Sequence, residues 1–145
     1  MTPTPLADLL LQPGQSGAFY LTASDLAPLQ DAAAELDFCC AHVTLHGCQD
    51  KRDLLQRIAS VLEFPEGFGG NWDALADSLG DLSWLAARGY VLGLEHSQAF
   101  RAQHPGDYAA LVSVLEDVAD AWRDQGVPFW AFITVPDADF AAVES

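Results

Sequence analysis

The chain has 145 residues, half of them hydrophobic, which suits one globular domain with a real core and is too apolar for a disordered chain. Six basic residues stand against 21 acidic ones, a formal charge of −15, which speaks against direct binding of DNA or RNA because that rests on cationic contacts. A basic protein partner would be attracted over distance, and solubility alone is the other reading of such a charge.

The opening MTPTPLADLLLQPG has no basic n-region, and its apolar run is short and broken. Neither a signal peptide nor a membrane span is expected there. Residues 1–16 read as a loose arm punctuated by Pro3, Pro5 and Pro13, with a candidate helical turn from Leu6 to Leu11. AFYL, from Ala18 to Leu21, is a short strand candidate. Thr22 or Ser24 can cap a helix to about Leu36 that faces Leu26, Leu29, Ala33 and Leu36 inward. FCCAHVTL, from Phe38 to Leu45, reads as a buried strand ended by Gly47. Cys39, Cys40 and Cys48 form no CxxC motif and are odd in number. No disulfide framework follows, and a reducing cytoplasm with buried free thiols fits. Asp50 begins a helix to Leu62, striped by Leu54, Leu55, Ile58 and Leu62.

The stretch FPEGFGGNWDALADSLG, Phe64 to Gly80, is unusual. Pro65, Gly67, Gly69 and Gly70 force an irregular backbone. Asn71 is a good N-cap, and Trp72, Leu75 and Leu79 then recur on one helical face. Asp73 and Asp77 lie one turn apart on a neighbouring face, and Gly80 is the expected stop. No Lys or Arg lies between Glu63 and Asp81, whereas Glu66, Asp73 and Asp77 do. Asp73, Asp77 and Asp81 form one candidate edge of an acidic face, and Asp120 and Asp124, near the end of a later helix, a candidate second.

After a connection from Asp81 to Gly89, YVLGL (Tyr90 to Leu94) reads as a buried strand ending at Glu95. A short helix follows over Ser97 to Gln103, then a long one from Pro105 to about Gln125, stopped by Gly126. FWAFITV, Phe129 to Val135, is the last buried strand, and the tail from Pro136 is acidic and reads as ill-ordered. Strands without polar alternation, interleaved with helices, define an α/β layer with a mostly parallel sheet.

Chemistry finds little purchase. No phosphate-binding glycine loop and no Gly-x-Ser-x-Gly elbow occurs. His42 and His46 share a side of their strand, but two ligands do not make a zinc site. Glu95 and His96 end a strand where α/β enzymes place their sites, yet no nucleophile accompanies them. No catalytic residue, metal or cofactor is expected.

FPEGFGGNWDALADSL, followed by YVLGLE, resembles the barstar family, the intracellular protein inhibitors of secreted bacterial ribonucleases. The likeness in order of elements runs from about Phe38 to Ile133. It implies a parallel sheet of three strands flanked by helices, to which the N-terminal strand would add a fourth member. The implied organisation is one domain over 1–145: an arm and strand–helix extension (1–37), a barstar-like core (38–135) and an acidic tail (136–145). It also implies a cytoplasmic inhibitor or antitoxin, not an enzyme, whose partner is a basic extracellular ribonuclease or ribonuclease toxin, with no membrane involved. By position, Asp73 and Asp77 match the family's two interface aspartates, and Asp77 the one that occupies a substrate phosphate position. Asn71, Trp72 and Trp84 match interface positions too. Three departures stand out. Gly67 and Ala76 replace large aromatics, Ala121 stands where the family carries an acid (with Asp120 nearby), and the loop from Asp81 is longer. A non-inhibitory scaffold or regulatory module on the same fold is the alternative.

Overall fold

A computed structural model describes Leu10 and residues 17–135; most of the expected arm and the acidic tail lie outside the described residues. The elements follow as β1 (Ala18–Leu21), α1 (Ala23–Glu35), β2 (Cys39–Thr44), α2 (Lys51–Val61), α3 (Trp72–Asp81), a 3-10 turn (Ser83–Leu85), β3 (Tyr90–Glu95), α4 (Gln98–Gln103), α5 (Pro105–Asp124) and β4 (Phe129–Thr134). The strands make one sheet in the order β1–β4–β3–β2, and every neighbouring pair is parallel. The N-terminal strand does extend the sheet: Ala18 pairs with Ala131 and Leu21 with Thr134.

Strands β3 and β4 sit in the middle, and all of their residues but Glu95 are buried. That is why their sequences run apolar without alternation. Strand β2 corrects the expectation of a buried strand. Its Ala41 and Val43 are buried, while Cys40, His42 and Thr44 are exposed. It is an edge strand, bonded to β3 on one side, and the buried side chains of α1 pack on Val91, Trp130 and Phe132 of β3 and β4, leaving the outward residues of β2 exposed. The thiols follow suit. Cys48 is buried and Cys39 partly so, and burial pushes both above the ordinary thiol pKa; Cys40 is exposed, against expectation.

Alternation along β3 and β4 sends successive side chains to opposite faces. On one face Leu26, Leu29, Ala32 and Ala33 of α1, with Leu10, pack on Val91, Trp130 and Phe132. The Trp130 indole donates to the Leu10 carbonyl at 3.1 Å. On the other face α2, α3, α4 and α5 bury Leu54, Ile58, Leu75, Leu79, Phe100, Leu111 and Leu115 against Leu92, Leu94, Ala131 and Ile133. The expected inward stripe of α1 holds for Leu26, Leu29 and Ala33, whereas Leu36 is only half-buried.

Two contacts anchor β2. A Cβ on Gly89 would fall 2.6 Å from the ring of Phe38, itself buried, so the glycine lets that ring close over the start of β3. Gly89→Ala is expected to cost about 1–3 kcal/mol by overpacking, read from urea denaturation. At the other end, Asp50 caps α2, its carboxylate accepting from the Asp53 N–H at 2.8 Å. Arg57 donates to Asp53 at 3.0 Å and to the carbonyls of Thr44 and His46 at 2.9 and 2.8 Å. Those bonds tie α2 to the end of β2, and the Arg57 hydrogen bond holds the Asp53 carboxyl below its ordinary pKa.

Candidate partner-binding face

The segment between α2 and α3 folds as its glycines demand. Gly67 (φ 94°) and Gly70 (φ 68°) occupy the left-handed region that an L side chain resists. Beneath it, Phe64 meets Phe68 edge-on at 5.0 Å between centroids and Trp84 at 5.8 Å. The Trp84 indole donates to the Leu62 carbonyl at 2.9 Å, satisfying a free carbonyl at the end of α2. This expected interface tryptophan is therefore a half-buried strut with part of its surface left open.

Helix α3 starts where Asn71 predicts. Its side-chain oxygen accepts from the Ala74 N–H at 2.7 Å. Leu75 and Leu79 are fully buried, and the Trp122 indole of α5 donates to the Leu79 carbonyl at 2.8 Å. The helix is thus fastened from below and behind. Its end differs from expectation: Gly80 lies inside the helix, and Leu82 takes the left-handed C-cap position (φ 47°). Leu82 is 1% exposed, so its burial outweighs the backbone cost that a glycine would have avoided. Nothing lies within 4 Å of a Cβ built on Gly80. Gly80→Ala should therefore stabilise the protein by about 0.5–1 kcal/mol, seen as a higher thermal midpoint.

Asp73 and Asp77 point to solvent, and Ala76 is half-buried between them. Among the described residues the carboxylates in ion pairs are Asp53, Glu95 and Asp120; Asp73 and Asp77 are in none. A groove of about 230 Å³ opens between the loop and the helix, lined by Glu66, Gly67, Phe68, Asp77, Asp81 and Trp84 among others. The fold so brings together Gly67, Asp77 and Trp84. It leaves Asp73, Asn71 and Ala76 outside the groove. Trp72 is half-buried, with the Lys51 ammonium 5.3 Å from its ring centre. Asp120 is exposed on α5 but ion-paired with Arg123 one turn on.

Glu66 and Asp81 complete the groove's three carboxylates; Asp81 is expected on one edge with Asp73 and Asp77, whereas Glu66 stands in the sequence only as part of a general acidic run. Asp81 is legible from its spacing, four after Asp77. Glu66 is not, because the loop's turn at Gly67 decides where it points. No cation lines the groove. A pocket with three carboxylates and two aromatic rings is suited to a guanidinium or ammonium group, paired to the acids and stacked on a ring.

The other candidates lead elsewhere. His42 bonds Glu95 at 2.9 Å, and His96 lies 3.8 Å from the same carboxylate. His46 meets His96 edge-on, 6.0 Å between centroids. Among the described residues no three such side chains are arranged to hold a metal. A cleft of about 480 Å³ beside His42 is lined by Thr44, Gln56, Arg57 and Val61, but by neither Glu95 nor His96. No helix among the described residues is long and apolar enough to cross a membrane.

Fold and face define an α/β protein that carries a rigid acidic helix behind a two-glycine turn. The family described as Barstar (barnase inhibitor) matches residues 38–134, and the chain belongs to it. The description is of an inhibitor and not of an enzyme. A search of curated proteins gave no match. Among solved structures, the fold is similar to the Aeropyrum pernix ORC2 protein in ADPNP–ADP complexes, with a TM-score of 0.63 and 17% identity over 94% of this chain. Drosophila ORC bound to AT-rich DNA and Cdc6 is more distant, with a TM-score of 0.49 and 14% identity over 97% of this chain. This chain spans 40% and 45% of those two chains.

Proposed function

We propose that this protein inhibits a basic ribonuclease by seating its acidic helix–loop face in the enzyme's cationic cleft. Family membership supports a ribonuclease as the partner. The observation that carries the reading is the groove itself: Glu66, Asp77 and Asp81 surround Trp84, with no lining cation to neutralise them. Asp77 and Asp73 take the place of RNA phosphates, one helical turn apart on a helix already locked by Asn71, Leu79 and Trp122. A pre-fastened helix loses little freedom on docking, so more of the contact energy reaches affinity. Gly67 and Ala76 carry no large side chain, so the cognate enzyme must fill that space itself, and barnase need not be the preferred target. In a cell, such a protein would act in the cytoplasm as an immunity protein or antitoxin.

The reading is tested by titrating the purified protein into a panel of basic bacterial ribonucleases, barnase included, while following RNA cleavage. Stoichiometric loss of cleavage that weakens with added salt supports it. Full activity across the panel, together with recovery of a non-nuclease partner on co-purification, would support the scaffold reading in its place.

A further inference from the structure

The acidic groove has a cationic neighbour. On the far side of the same loop, a cleft of about 370 Å³ is lined by Lys51, Arg52, Gln56, Phe68, Gly69 and Gly70, among others. Phe68 lines both clefts, so they are separated by one turn of backbone. Sequence order hides this, since the run from Glu63 to Asp81 contains no basic residue.

Lys51 and Arg52 are placed against local preference. They are the first two residues of α2, where the positive end of the helix dipole favours acids. The chain has 21 acidic residues and six basic ones. Of the basic ones, Arg57 and Arg123 are ion-paired, Arg101 lies 5.5 Å from the Tyr108 ring centre and Lys51 5.3 Å from that of Trp72, while Arg88 is in no ion pair among the described residues and lines neither cleft. Among the described residues neither Lys51 nor Arg52 joins an ion pair. Two cations kept at an unfavourable position, unpaired amid an excess of acid, and opening on a cleft beside the candidate face are placed to meet an anion from outside.

We propose that this cleft receives an aspartate or glutamate side chain of the ribonuclease, so that recognition carries both signs. The partner's cations enter the Asp77 groove, while one of its carboxylates pairs with Arg52 and Lys51 across the loop. This rests on the inhibitor reading above. A carboxylate is favoured over a nucleic-acid phosphate because the net charge of −15 repels a polyanion, whereas a carboxylate on a docked basic protein is carried in by its surroundings. Arg52 can form a planar two-point bond with it, and Lys51, held over Trp72, adds a point charge. Such a contact selects among basic nucleases, because an enzyme with a neutral or basic residue there would leave both cations opposed.

The sign of one measurement decides it. If only long-range attraction matters, removing two positive charges from an inhibitor of a basic enzyme tightens binding. If a partner carboxylate sits in the cleft, the same change weakens binding. The test is the Lys51→Gln/Arg52→Gln pair, with its fold checked by thermal denaturation, against the tightest-binding ribonuclease of the panel. The expected result is a roughly three- to tenfold loss of affinity, recovered in part by keeping Arg52. Equal or tighter binding, with Asp77→Ala still weak, overturns this proposal and leaves the inhibitor reading standing. Failure of every nuclease to bind the unaltered chain removes both. Neutralising the nuclease's acidic residues one at a time should then find one whose loss adds nothing to that of the double variant.

Discussion

Asp77→Ala is expected to weaken ribonuclease binding by about 2–5 kcal/mol, at least roughly 30-fold. That range is the general cost of truncating one partner of a buried charge pair, and close charge pairs of the barnase–barstar interface couple by about 1.5–7 kcal/mol. The argument for its size here is geometric. Asp77 lines a groove walled by Phe68 and Trp84, so an ion pair formed inside it is shielded from water. Truncating Asp77 would leave the partner's cation buried without its counter-charge, which is costlier than losing a surface pair. Stability should move the other way. Asp77 has like charges four residues before and after it, Asp73 and Asp81, and all three are exposed. Relief of that repulsion is worth about 0.2–0.5 kcal/mol per pair. Calorimetry of binding and thermal denaturation on one preparation separate the two effects. A variant that binds as tightly as the parent would remove Asp77 from the interface, and one that melts early would show that its loss is structural.

Leu26→Ala should cost about 2–5 kcal/mol of folding stability and leave binding by the folded molecule unchanged. Leu26 is 1% exposed, and its Cδ2 lies 3.2 Å from where a Cβ on Gly93 would sit. Gly93 has no side chain to spare, so the helix α1 comes down onto β3 through this leucine. Truncation would open a cavity walled by strand backbone, which cannot collapse to fill it. Against a typical stability of roughly 5–15 kcal/mol, that is a large share. The face concerned is the one away from α3, since Leu26 packs with Val91 and Trp130 while Leu75 and Leu79 pack with Leu92 and Leu94. Urea denaturation measures the loss, and nuclease titration below the transition checks the independence. A cost well under 1 kcal/mol would mean that the N-terminal helix, which lies outside the family match, is dispensable to the core.

Most of the element order is readable from local pattern. The apolar runs of β3 and β4, the leucine stripe of α2, the asparagine cap of α3 and the proline start of α5 each state a preference that the neighbours confirm. The misreadings share one cause. A strand of valine, cysteine and alanine looks buried whether it lies at the centre of a sheet or at its edge, and only pairing order reveals that β2 is an edge. Gly80 looks like a helix stop because glycine relaxes easily, but what ended the helix was the space available to Leu82 in the core. Backbone preference of that size yields to a fully buried leucine.

What the sequence by itself determined is therefore local and compositional: the excess of acid, the parallel α/β layer, the glycine turn, and two aspartates held one helical turn apart. Spacing within one helix is set by the 3.6-residue repeat and needs no partner to be known. Which of those acids share a groove, that Trp84 supports it, and that Lys51 and Arg52 stand just across the loop were decided by the tertiary structure alone. Each depends on how segments distant along the chain are brought together by burying Leu75, Leu79 and Trp122 against the sheet, and side-chain surroundings of that kind are written in no single stretch of residues.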